Sequence, residues 1–324
     1  MWFIQNCFKR KTMDAATLEK QNAATSAAII AALGADEGFL KLSKFEGDAI
    51  VKRDEEDAEK LQRGVDSSIA KGVLPKLEPP PTYQVIDVLG KTPDDVCNVI
   101  IAHMGAAANT GGVVVLCGLS GTGKGTTVAR LGELLPEGKT RGWSNGDVFR
   151  SLTLLAATWC EQQGCDAFDA EKALTPEKLA EFMAMLEFGK FEGNWDIKIS
   201  GLGVDALVSK IKNTELKGPK VSKNIPTVAE QTQGEVVKFA AAAAQQMGEA
   251  GLIVLLEGRE ATVNYIPSPY RYTLTMSDHT VLGQRRAAQR LGAAVLKEVG
   301  AGAADAAIAE ALTACCGTLV GEIP

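Results

Sequence analysis

The sequence predicts a three-layer α/β/α chain built on a parallel sheet, and three stretches carry that prediction. The first is the apolar run Val113-Val114-Val115-Leu116-Cys117, which leads through Gly118-Leu119-Ser120-Gly121-Thr122-Gly123-Lys124-Gly125-Thr126-Thr127 into the helical pattern of residues 128–135. The second is Gly251-Leu252-Ile253-Val254-Leu255-Leu256-Glu257-Gly258-Arg259-Glu260. The third is Tyr270-Arg271-Tyr272-Thr273-Leu274-Thr275-Met276, followed by Ser277 and Asp278 as helix-capping residues. Short apolar runs bounded by glycine or charge are the pattern of strands buried on both faces.

A buried strand, a glycine-rich turn and a helix form the context that a phosphate-binding loop requires. Glycine lets the backbone curl so that successive N–H groups point inward at an anion. The helix start adds its positive dipole end, and Lys124 adds a mobile point charge. Gly118, Ser120, Gly121, Thr122, Gly123, Lys124, Gly125, Thr126 and Thr127 are therefore the expected phosphate-binding residues. The pattern G-x-x-x-x-G-K-[ST] is missed at one position, because Gly125 stands where Ser or Thr is expected.

The chain of 324 residues is long enough for one or two domains with a substantial core. A net charge of -6 with 46% apolar and 23% charged residues speaks against general nucleic-acid binding. No apolar run approaches the ~20 residues of a membrane helix. The seven cysteines show no zinc spacing, and Cys117 lies inside a strand, which favours a reducing compartment, cytoplasmic or organellar. With His103 and His279 as the histidines, a histidine-built metal site is not expected. Met1-Trp2-Phe3-Ile4-Gln5-Asn6-Cys7-Phe8-Lys9-Arg10-Lys11 is basic and acid-free; its charge follows its apolar part, unlike a secretory signal. An organellar address and a docking arm both fit it.

Taken in order, residues 14–33 are alanine-rich with few breakers, and Gly34 follows as a stop, which predicts a helix. Its apolar face is mostly alanine with Leu18, Ile29, Ile30 and Leu33, too thin for an independent core. A short charged helix is expected over 54–63, closed by Gly64. The Pro-rich stretch 72–81 reads as a semi-rigid extended linker. Residues 1–83 are thus expected to form an α-helical N-terminal extension that docks on the chain's own domain, 84–324, or on a protein partner.

Thr92-Pro93-Asp94-Asp95 opens a helix whose apolar stripe is Val96, Val99, Ile100 and Met104. Further helices are expected over 151–161 and from Thr175 through Leu186. Trp195-Asp196-Ile197-Lys198-Ile199-Ser200 alternates like a strand. Thr227 and Glu230 read as a capping box that starts a long helix through Gly248. Gln284-Arg285-Arg286-Ala287-Ala288-Gln289-Arg290 lies on a helix, where Arg286 and Arg290 are four apart and share a face.

The loop spelling G-x-x-G-x-G-K-G-T resembles that of nucleoside-monophosphate kinases. After it, Trp143-Ser144-Asn145-Gly146-Asp147-Val148-Phe149-Arg150-Ser151-Leu152-Thr153 resembles the D-[ST]-G-x-x-Y-R-x-L-T segment of bacterial-type cytidylate kinases. Gly258-Arg259-Glu260 resembles that family's G-R-D, with Glu257 and Glu260 in place of two aspartates. Phe149 replaces the family's tyrosine, and its lid motif R-D-x-x-D-x-x-R is missing after Arg290. The resemblance covers roughly residues 112–290.

That resemblance implies a P-loop α/β domain with a nucleoside-monophosphate-binding insert over 151–226. It also implies a divergent lid and C-terminal helices over 277–324, in which residues 318–323 are the candidate for a last strand. The implied reaction is transfer of the ATP γ-phosphoryl group to CMP or dCMP, with Mg²⁺ near Thr126 and Glu257. Asn145, Arg150, Thr232, Arg259 and Glu260 would bind the acceptor, and Lys124, Arg259, Arg286 and Arg290 would carry the transfer. Two other readings stay open. One is a kinase-like subunit that keeps the fold without turnover, and the other is a kinase with adenylate as acceptor, suggested by Ser144-Asn145-Gly146-Asp147.

Overall fold

The structure is a computed structural model that describes residues 13–324, so the basic stretch 1–11 lies outside the described residues. Buried contacts divide the chain into two compact units. Of the described residues, one comprises 13–55, Leu119–Thr122 and Met276–Pro324; the other comprises Glu56–Gly118 and Gly123–Thr275.

The second unit holds a five-stranded parallel sheet flanked by helices. Its strands are β1 (Gln84–Asp87), β2 (Gly112–Gly118), β3 (Thr140–Trp143), β7 (Ile253–Glu257) and β8 (Tyr270–Thr275). Their order is β1-β8-β2-β7-β3. The intervening β4 (Leu186–Phe191), β5 (Asn194–Gly201) and β6 (Val204–Leu207) form a separate antiparallel sheet. Residues Val113 to Cys117 of β2 are all buried, as are Ile253 to Leu256 of β7. Strands buried on both faces cannot alternate polar and apolar side chains, which is why both read as unbroken apolar runs.

Helix Pro93–Met104 packs on helix Lys124–Leu134, and Gln233–Glu249 packs on β2 and β7. Thr92 caps the first of these as its sequence predicts, with Asp95 returning the bond to the Thr92 N–H. Val96, Ile100 and Met104 are buried, whereas Val99 is exposed and Cys97 takes its place in the stripe. Arg271 is buried on β8 and donates to the carbonyls of Val263, Asn264, Ile266 and Ser268 and to the Tyr83 hydroxyl. Burial pushes the Tyr83 hydroxyl up to about 12.

The first unit is helical. Met13, Leu18, Ile29, Phe39 and Leu42 share one buried core with Ala287, Leu291, Val295, Ile308, Leu312 and Leu319. The thin alanine-rich face of residues 14–33 is therefore completed by the C-terminal helices His279–Val299 and Asp305–Gly321. The boundary expected at 83/84 falls inside the second unit instead. Residues 318–323, the candidate last strand, lie in the last helix and its end. The sheet edge beside β8 is taken by β1, which precedes the glycine-rich loop in the chain.

Three further helix expectations change. The short charged helix of 54–63 is part of one long helix, Glu37–Ala70, that passes straight through Gly64. A Cβ on Gly64 would lie 2.6 Å from Gln233 Cγ and 3.0 Å from the Glu230 carbonyl oxygen, so the glycine serves close packing rather than termination. The capping box at Thr227 does not form. Pro226 sets the first turn of Ile225–Gln231, the chain breaks at Thr232, and a second helix runs Gln233–Glu249. Leu186 starts β4 rather than ending a helix, because Pro176–Ala184 stops before it.

Gly283 marks the tightest crossing in the first unit, where its added Cβ would stand 2.1 Å from the Ser43 carbonyl oxygen. Gly283→Ala is expected to destabilise the protein by ~1–3 kcal/mol through overpacking. Gly317, on an exposed turn of Asp305–Gly321, meets nothing within 4 Å. Gly317→Ala is expected to stabilise by ~0.5–1 kcal/mol. Urea denaturation of both variants checks the pair, and equal effects would refute the crossing.

Candidate functional site

The glycine-rich loop leaves the C-terminal end of β2. Gly118 has φ 134° and its added Cβ would lie 2.2 Å from the Leu274 carbonyl oxygen on β8. Only glycine allows that approach. Gly123 precedes helix Lys124–Leu134 in the left-handed region, with φ 89° and no side-chain cap on the helix start. As a glycine, the N-cap residue brings no side chain of its own to the helix start.

Lys124 folds back so that Nζ donates to the Gly118 carbonyl at 2.7 Å. Thr122 is buried and its hydroxyl donates to Leu119, whereas Thr126 is exposed. Thr127 is buried, with its carbonyl accepting from the Cys97 thiol. Burial pushes the Cys117 thiol, beneath the loop, above its ordinary range.

Glu257 ends β7, beside β2. The carboxylate oxygens of Glu257 lie 3.7 and 3.9 Å from where a Cβ on Gly125 would sit. The connection after β2 runs past β7 to β3, whereas the one after β7 crosses back past β2 to β8. Adjacent strands whose connections leave in opposite directions open a crevice at their C-terminal ends, where ligands of open α/β sheets bind. The turn at Gly118, Gly125 and Glu257 stands there.

The other predicted residues are placed as follows. Asn145 opens helix Asn145–Gln162 and accepts from Trp143 Nε1 at 2.8 Å. Arg150 is one turn on and reaches Asp147 at 3.3 Å. Thr232 is fully buried, with its hydroxyl given to the Val228 carbonyl at 2.8 Å. Arg259 lies 3.7 Å from Asp57, and Glu260 opens the next helical turn, exposed. Arg286 and Arg290 share a helix face as their spacing predicts, and both reach Glu46. Arg290 also stands 3.5 Å from Glu322.

Sequence reasoning missed three carboxylates on helix Glu37–Ala70: Glu46, Asp54 and Asp57. Asp54 Oδ2 accepts from the Ser120 backbone N–H at 2.5 Å, and Oδ1 accepts from the Ser120 hydroxyl at 2.8 Å. One signal was available. Leu42, Glu46, Ile50 and Asp54 follow each other at intervals of four, so the acids continue an apolar stripe. Among the described residues, no cluster of three or more His, Cys, Asp or Glu side chains is arranged to hold a metal ion. No helix among them is long and apolar enough to cross a membrane. No family model, curated protein or solved structure matches this chain.

Glu46 is nearly buried, and Arg290 is its closer partner. Arg290→Ala is expected to cost ~1–3 kcal/mol, because it leaves that carboxylate short of a donor. Arg286→Ala, which removes a half-exposed and more distant partner at 3.9 Å, is expected to stay within ~0.5 kcal/mol of wild type. Urea denaturation separates the two, and a larger loss at Arg286 would reverse the assignment.

Proposed function

We propose that the chain is a P-loop nucleoside-monophosphate kinase that transfers the γ-phosphoryl group of ATP to CMP or dCMP. The observation that carries this reading is the strand–glycine turn–helix of β2 and Lys124–Leu134. Its N-cap is Gly123, and it stands at the crevice where the sheet's connections diverge. The resemblance of residues 112–290 to bacterial-type cytidylate kinases supports the acceptor assignment.

Phosphoryl transfer asks the protein for positioning and charge, not for a covalent group. Lys124 and the loop N–H groups hold the donor phosphates, Lys124 turning from Gly118 toward them. Arg150 and Arg259 clamp the acceptor phosphate with planar forks that suit two oxygens at once. Glu260 and Asn145 meet the acceptor nucleoside. Thr126 and Glu257 are the oxygen donors that would hold Mg²⁺, which usually binds one or two protein oxygens plus substrate phosphates. When bound, the ion neutralises phosphate charge. Arg286 and Arg290 are the arginines available for charge developing in transfer.

A second reading, a kinase-like subunit without turnover, is favoured by Glu46 holding both Arg286 and Arg290. The absence of the lid motif after Arg290 points the same way. Turnover separates the two readings. The enzyme reading expects phosphorylation of CMP or dCMP in a coupled assay, whereas ATP binding with no turnover of any monophosphate would support the subunit.

Lys124→Ala should weaken ATP binding more than tenfold, at least ~1.4 kcal/mol. Unchanged affinity in a folded variant would refute the loop's role. Arg259→Ala should lower kcat/KM for CMP by at least ~100-fold, ~2.7 kcal/mol. If wild type turns over AMP and CMP equally, the base assignment fails.

A further inference from the structure

The glycine-rich loop already carries an anion in this structure, and the anion belongs to the chain. Asp54 is 3% exposed on helix Glu37–Ala70. Both its carboxylate oxygens are bound by one residue of the loop, through the Ser120 backbone N–H and the Ser120 hydroxyl. Arg53 Nη2 stands 3.9 Å from Oδ1 as well. Burying a carboxylate is costly unless charge-assisted donors satisfy it, so this pairing is built rather than incidental. A loop N–H and hydroxyl that satisfy a carboxylate oxygen are the donors a phosphate oxygen would use.

The rest of the helix repeats the arrangement. Glu46 binds Arg290 and Arg286, and Asp57 lies 3.7 Å from Arg259 Nη2. At about 100° per residue, positions 46, 54 and 57 fall within ~80° of one another around the helix. One stripe of one helix thus offers a carboxylate to loop residue Ser120 and to three arginines that the proposed reading sets against phosphate. A solvated acidic face would not explain the pairings of Glu46 and Asp54, which are both buried.

We propose that Asp54 is a built-in phosphate surrogate that occupies the N–H and hydroxyl donors of Ser120, so that nucleotide phosphate must displace it from that residue. This inference rests on the nucleotide-binding reading given above and adds its regulation. Binding exchanges one set of charge-assisted hydrogen bonds for another, no covalent bond changes, and the helical turn around Asp54 is released. The occupied loop is the resting form, and anything that draws this helix away raises phosphate affinity.

The competing role for the same contact is a brace, in which Asp54 holds the loop in its binding shape. The two roles predict opposite signs. Calorimetric titration of the full-length chain with ATP and with inorganic pyrophosphate, for wild type and Asp54→Asn, reads the sign directly. The surrogate role expects Asp54→Asn to bind both at least tenfold more tightly than wild type. Binding by the variant where wild type shows none supports the proposal as well. Equal or weaker binding by a variant whose wild type binds ATP overturns the surrogate and leaves the nucleotide reading standing. No binding of ATP or pyrophosphate by either protein overturns both. Hydrogen–deuterium exchange of wild type keeps the question answerable if Asp54→Asn does not fold. Saturating ATP should speed exchange over residues 50–58, and unchanged or slowed exchange there would overturn the surrogate.

Discussion

A strand buried on both faces must find partners for every main-chain polar group, and β2 imposes that constraint on the second unit. Its N–H and C=O groups are paired by β7 on one side and β8 on the other. Those pairings set the order of the sheet and bring Glu257 and Leu274 level with the end of β2. Beyond Gly118 the ladder runs out, and the backbone must satisfy itself by turning. Glycines at the turn permit a close pass over Leu274 and a left-handed entry into the next helix. The glycine turn is thus the way this strand ends without stranding polar groups.

The helix Glu37–Ala70 obeys the same accounting with charge. It buries Glu46 and Asp54 on the stripe that also buries Leu42 and Ile50. A buried carboxylate demands donors, and the chain supplies arginines to one and a loop amide with its hydroxyl to the other. Such pairings contribute little net stability but tolerate few alternatives, since losing a partner leaves a charge stranded. That gives the helix a specified position among its own neighbours.

The helical first unit shows a different economy. Alanine-rich helices bury little area per residue, so none of them holds a core by itself. Segments from the two ends of the described chain therefore pool their apolar faces, with Leu18, Ile29 and Phe39 meeting Leu291, Val295 and Ile308. Small residues make the crossings close, as Gly47 and Gly283 do where Glu37–Ala70 passes His279–Val299. The two ends of the described chain thus share one core although neither reads as a domain.

What the sequence alone determined is what local pattern determines: β2 and β7 as unbroken apolar runs, β8 as the next strand, the glycine turn, and the cap at Thr92. The shared face of Arg286 and Arg290 also follows from spacing alone. Each of these depends on residues within a few positions of one another. Tertiary structure decided the rest. Gly64 reads as a stop until the Gln233 side chain and Glu230 carbonyl beside it show why a glycine continues the helix. Residues 318–323 read as strand until the helix they end is seen to share a core with residues some three hundred positions earlier. Asp54 reads as solvated charge until Ser120, distant in sequence, is found holding it. The physical reason is common to all three. A residue's conformation follows from its neighbours in sequence, whereas the role of a glycine or a carboxylate follows from what approaches it through space.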